Sequence, residues 1–117
     1  MVRARYPLKV LFYRSVSGNE PVREWLKAQT KHDRKIIGTD IKTVQFGWPL
    51  GMPLVRKLEK DLWELRSNME NGIARVIFVV HENSIILLHG FIKKSQKTSV
   101  NDLNAARKRA ANLRGKQ

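Results

Sequence analysis

Ile73-Ala74-Arg75-Val76-Ile77-Phe78-Val79-Val80-His81 and Ile85-Ile86-Leu87-Leu88-His89-Gly90-Phe91-Ile92 are two apolar runs separated only by Glu82-Asn83-Ser84. Both are rich in β-branched and aromatic residues and too apolar to be helix surface. The short polar interruption joins them as a hairpin. Just upstream, Leu62-Trp63-Glu64-Leu65-Arg66 alternates, with Leu62, Glu64 and Arg66 on one side and Trp63 and Leu65 on the other, the pattern of a half-buried strand. Leu8 to Tyr13 (LKVLFY) is a further strand, broken by Ser17-Gly18-Asn19.

Between the first strand and these later ones the apolar period lengthens. Val22, Trp25 and Leu26 follow Asn19, a good N-cap, and Pro21, harmless in a first turn, so residues 20–29 read as a short helix. Ile37, Ile41, Val44 and Trp48 form one helical stripe over residues 33–46. Gly47 suits a left-handed C′ position there, and Pro49 forbids continuation. Gly47 to Pro53 holds two Gly and two Pro and reads as a loop. The chain closes with a helix over 99–114, its stripe made by Leu103, Ala106, Ala110 and Leu113, and Ser99 with Asp102 resembling a capping box. The predicted order is β-α-α-β-β-β-α. This is an α+β domain spanning residues 1–117, with a mainly antiparallel four-stranded sheet, two N-terminal helices packed on it and a basic C-terminal helix.

Charge bounds the function. Twenty-three Lys and Arg oppose ten Asp and Glu, a formal +13. Such an excess costs self-repulsion and raises the local concentration of polyanions. A membrane partner is disfavoured: the longest apolar run, Val76 to Val80, is far short of a span. The N-terminus alternates Arg3, Arg5 and Lys9 with short apolar pieces and has no signal-peptide pattern, so the chain reads as cytoplasmic. Cysteine is absent, which excludes disulfides and thiolate metal ligands. The acids concentrate mid-chain, so the two basic ends make one cationic surface if the fold brings them together.

No Gly-rich phosphate loop occurs, and His32, His81 and His89 lack metal-ligand spacing, so no metal or cofactor is expected. The candidate groups are cations on strands. Arg66 shares a face with Glu64, and Arg75 sits inside an apolar strand on the face of Ile77 and Val79. A guanidinium there needs a partner or a purpose. Two readings stay open: a structural pair of Glu64 with Arg75 across the sheet, or two arginines lining a concave anion site, where the planar fork binds phosphate bidentately. Lys93, Lys94 and Lys97 leave the last strand near them, so five cations converge on one phosphate path.

Leu62-Trp63-Glu64-Leu65-Arg66, then Gly72-Ile73-Ala74-Arg75-Val76, then His89-Gly90-Phe91-Ile92-Lys93-Lys94-Ser95-Gln96-Lys97-Thr98 together resemble the RelE/HigB toxin superfamily, most closely its HigB-like branch with phage-derived members. Ala105-Ala106-Arg107 fits the basic ending of that branch. The resemblance implies a ribosome-dependent mRNA endoribonuclease held inactive by an antitoxin, a small helix-turn-helix protein encoded beside it. In that chemistry the ribose 2′-OH attacks the adjacent phosphate without a metal. It implies that Arg66, Arg75 and Lys93 or Lys94 act at the phosphate, and that Arg56, Lys57, Lys97 and Arg107 bind RNA. Some members carry a Tyr or His near the C-terminus for proton transfer. Here the only tyrosines are Tyr6 and Tyr13, leaving Glu64 or one of the lysines for that role. The competing reading is a non-catalytic RNA- or ribosome-binding module of the same fold. A DNA-binding regulator is disfavoured, because no helix-turn-helix signature appears.

Overall fold

A computed structural model describes residues 7–93 and 97–115. The element order is β1 (Lys9–Phe12), α1 (Pro21–Lys27), α2 (Lys31–Gly47), β2 (Val55–Glu59), β3 (Leu62–Met69), β4 (Gly72–His81), β5 (Ser84–Lys93) and α3 (Val100–Gly115). The five strands form one mixed sheet in the order β1-β5-β4-β3-β2, antiparallel except for the parallel pairing of β1 with β5.

The α+β class and the helices hold, but the expected four-stranded sheet is corrected to five. The extra strand is β2, whose sequence Val-Arg-Lys-Leu-Glu is short and mostly charged. It is an edge strand that, among the described residues, pairs only with β3. Edge strands carry such charges because a bare apolar edge would recruit other chains, so β2 has no apolar run to announce it.

Local chemistry differs from the sequence reading at the helix ends. Glu20, not Asn19, occupies the N-cap of α1, and it makes no side-chain cap. Asn19 instead donates its N–H to Ser15 Oγ (3.0 Å) and closes the turn that precedes the helix. α2 begins two residues earlier than expected because Thr30 accepts the Asp33 N–H through its hydroxyl (3.1 Å). Gly47 lies within α2 and has no positive φ, so Pro49, not a left-handed glycine, ends the helix. At α3, Ser99 accepts the Asp102 N–H (3.1 Å) and donates its hydroxyl to the Asp102 carboxylate (2.5 Å), a variant of the expected box.

Alternation along β3 and β4 sorts two cores. Leu65, Ala74, Val76 and Phe78 pack with Val22 of α1 and with Ile37, Ile41 and Val44 of α2. Leu62, Ile77, Leu88 and Phe91 pack on the other face with Ala106 and Ala110 of α3. The sheet is therefore covered on both sides. A register shift between Ile77 and Phe78 in the β4–β5 ladder leaves Leu88 as an extra residue. This bulge turns Leu88 and His89, consecutive in sequence, toward the same α3 side.

Gly90 is the one glycine whose missing side chain the packing requires. A Cβ there would stand 2.4 Å from the Trp25 ring, which α1 lays against β5. Gly90→Ala is therefore expected to cost about 1–3 kcal/mol through overpacking. A thermal melt would show a lowered midpoint, and an unchanged one would mean that α1 docks without this contact.

Candidate functional site

Two cross-strand rows build the site on the α3 face. Arg56, Glu64, Ile77 and His89 lie opposite one another across β2, β3, β4 and β5. In the next row Arg66 faces Arg75, and Arg75 faces Phe91. Two guanidinium groups directly opposite one another repel, so the arrangement needs a nearby acid. Glu64 supplies it diagonally: its carboxylate lies 3.8 Å from Arg75 Nη1, and both side chains are 0% exposed.

Thr98, immediately before α3, completes the buried unit. Its hydroxyl donates to Glu64 Oε2 (2.5 Å) and accepts from Arg75 Nη1 (3.4 Å). Burial is the largest influence on the Arg75 guanidinium and lowers its proton affinity; Glu64 opposes this, Arg66 and Arg56 add to it, and Asp102 opposes it. An arginine stays charged through such a shift. The pairing of Glu64 with Arg75 is thus a structural fact, with the cations Arg66 and Arg56 around it. Arg66 is half-buried and Arg56 exposed.

The remaining candidates are distributed unevenly. Lys93 ends β5 and contacts Asp102 Oδ2 (3.4 Å), with its ammonium over the Phe91 ring (5.9 Å). Lys97 is exposed beside Thr98. Lys94 lies outside the described residues. Lys57 pairs with Trp63 in the ladder and lies over its ring (5.2 Å), on the face of α1 and α2 and away from Arg56. Arg107 is clamped to Glu59 (Nη2–Oε1 2.6 Å, Nε–Oε1 3.0 Å), fastening α3 to the β2 edge. Glu64, the candidate for proton transfer, is enclosed. Among the described residues, no three acidic or imidazole side chains gather as a metal-binding group.

Sequence reasoning missed a polar chain on the same face. Arg109 donates from Nη1 to the carbonyl of the bulged Leu88 (2.7 Å) and to His89 Nδ1 (3.1 Å). Because His89 Nδ1 accepts, its Nε2 carries the proton toward Asp102 Oδ1 (2.8 Å). The spacing of His89 to Asp102 carries no motif; only the bulge and the docking of α3 bring them together.

Burial alone would raise the Asp102 carboxyl. Hydrogen bonds from Ser99 and His89, attraction to His89 and the Lys93 contact outweigh it and hold the acid below its ordinary 3.8.

The family comparison matches residues 24–111 to the phage-derived protein Gp49-like family (DUF891). The chain belongs to this family. Gp49-like proteins are part of the RelE-like toxin group associated with toxin–antitoxin systems, and such membership suggests an antitoxin partner. No curated protein matches this Gp49-like chain. Among its described residues no helix is long and apolar enough to cross a membrane.

Two outcomes test the geometry. Glu64→Ala is expected to destabilise the domain by about 3–5 kcal/mol, since it strands a buried guanidinium. Chemical denaturation measures this, and a loss near zero would mean that Arg75 reaches other compensation. Asp102 has a depressed folded pKa, so its stabilisation is present above about 3.8 and is lost as pH falls through the folded value. Asp102→Asn should therefore be less stable at neutral pH and show a shallower loss below about pH 4 than the parent chain. Parallel acid-unfolding curves would contradict this.

Proposed function

We propose that this Gp49-like chain is the toxin of a type II toxin–antitoxin pair, of the HigB-like kind, and that it cleaves mRNA on the ribosome. The supporting observation is the cationic cluster of Arg56, Arg66 and Arg75 on one sheet face, with Lys93 at the end of β5 on the rim of α3. Family membership and the net charge of +13 point the same way.

In this reading the 2′-OH of one ribose attacks the adjacent phosphate, forming a 2′,3′-cyclic phosphate as the 5′-oxygen leaves. The RNA provides the nucleophile, so the reaction requires neither metal nor cofactor. The barrier lies in the crowded, doubly charged phosphorane, which preorganised cations stabilise. Arg66, reaching solvent, meets the phosphate with Arg56 beside it. Arg75 adds a fixed charge from below and, through Glu64 and Thr98, holds β3, β4 and the start of α3 in place. Lys93 and Lys97 flank the exit of β5. The enclosed Glu64 serves as counterion, so proton transfer and strand orientation draw on the ribosome. The partners are mRNA, the ribosome and a cognate antitoxin, a small helix-turn-helix protein encoded next to the toxin, and the setting is cytoplasmic.

One observation favours the second reading, a non-catalytic RNA-binding module: Glu64 and Arg75 are both wholly enclosed, which leaves a cationic surface without an exposed acid among them. A cleavage assay separates the two. Purified protein should cut ribosome-bound mRNA readily and free RNA slowly, and induced expression without the antitoxin should arrest growth. Arg66→Ala, which leaves the enclosed Glu64–Arg75 pair in place, should lower cleavage on the order of 100- to 1,000-fold while the chain still folds. Arg66→Lys should restore little, because an ammonium loses the bidentate fork. Intact ribosomal mRNA at saturating protein would decide for the binding module.

A further inference from the structure

A cleft of about 530 Å³ opens between the segment Tyr13–Asn19 and α3, outside the rows described above. Its polar lining includes Ser15, Ser17, Lys108, Arg109 and Asn112, with Tyr13 at its base. The Ser15–Asn19 turn is held rigid by its own bonds: Ser15 N–H to the Asn19 carbonyl (2.8 Å), Gly18 N–H to the Ser15 carbonyl (2.9 Å), and Ser15 Oγ to Ser17 Oγ (3.0 Å). Gly18 takes φ +94°, which the turn requires and a larger residue would resist. On the opposite wall, Asn112 donates to the Tyr13 hydroxyl (2.9 Å).

The charge in this cleft is unbalanced. Arg109 is half-buried, yet its partners are neutral: the Leu88 carbonyl, His89 Nδ1 and the Tyr13 ring, 5.9 Å from its guanidinium carbon. Among the described residues no carboxylate pairs with it. Asp102 stands beyond His89 and is occupied by Ser99 and Lys93. A second cation, Lys108, lines the same space. Removing a guanidinium from water without a countercharge is costly, and an anion in the cleft would relieve that cost. Two cations, two serine hydroxyls and an amide around a volume of this size suit a phosphate group better than a carboxylate, which offers fewer acceptor oxygens.

We propose that this cleft binds a backbone phosphate of a single-stranded RNA and so forms a second contact, separate from the Arg56–Arg66 surface. The identity of the ligand as RNA rests on the function proposed above; the unbalanced charge does not. The polar chain from Arg109 through His89 and Asp102 to Lys93 links the cleft to the cationic rows along α3. One strand could therefore engage both.

The test uses the full chain and a fluorescent 2′-O-methyl oligouridylate, which cannot be cleaved because its 2′-hydroxyls are blocked. Lys108→Ala and Asn112→Ala avoid the Arg109 contacts that pin the bulge. Each should weaken binding several-fold, and Lys108→Ala should flatten the log–log salt dependence by roughly 0.7. NMR titration should move the Ser15, Gly18 and Asn19 amides. If both variants bind like the parent while Arg66→Ala binds more weakly, the cleft is not an RNA site and the proposed function stands. If the oligonucleotide does not bind the parent at all, this proposal fails, while the ribosome-dependent reading is decided by the cleavage assay above. If inorganic phosphate moves these amides and the oligonucleotide does not, the cleft takes a small free anion and the RNA assignment is overturned. If only a Glu-rich peptide moves them, the anion is an acidic protein and the assignment is likewise overturned.

Discussion

β4 lies between β3 and β5 and is covered on both faces, with Ala74, Val76 and Phe78 toward α1 and α2, and Arg75 and Ile77 toward α3. Its apolar side chains can leave water only if a helical layer closes each side of the sheet. The exception in this strand is Arg75, and much of the site follows from accommodating it. Its charge requires Glu64, the remaining acceptor of Glu64 requires a donor, and Thr98 supplies one. Thr98 lies just ahead of the Ser99 cap of α3, so the solution to a buried charge also ties the entry of that helix to the sheet. Arg56 and Arg66 then lie around a preset centre instead of on a mobile surface.

The β5 bulge works in the same way on the other half of the α3 face. An extra residue in a ladder frees a carbonyl, and a freed carbonyl beneath a helix must find a donor. Arg109 provides it, and the same nitrogen sets the tautomer of His89 and directs its other proton to Asp102. Asp102 belongs to the Ser99 cap as well as to the Lys93 contact. Helix start, bulge and strand-end lysine are therefore one connected polar system. Its acid is kept ionised by the neighbours it holds in place.

Self-repulsion among so many cations is limited where acids are placed one by one. Glu59 receives Arg107, Glu64 receives Arg75 and Asp102 receives Lys93. The parallel pairing of β1 with β5 brings the segment after β1 against α3.

The apolar runs of β4 and β5 and the stripes of α2 and α3 were legible because burial imposes periods of two and 3.6 on the residues themselves. Period two also placed Arg75 with Ile77 and Arg66 with Glu64 on one face, and left the Glu64–Arg75 pair as one of two readings. β2 was not legible, because an edge strand is stabilised by ladder hydrogen bonds that any side chain permits. Once it pairs, alternation separates Arg56 from Lys57 onto opposite faces, which no reading of a loop would show. The parallel docking of β1, the Arg107–Glu59 clamp and the His89–Asp102 contact were equally hidden. They join residues far apart in the chain through backbone register and helix placement. What the sequence alone determined was which surfaces must be buried and where the charge resides. Which charges meet was decided by the tertiary structure, because a Coulomb or hydrogen-bond contact depends on distance and direction, which only the packed sheet and its bulge set.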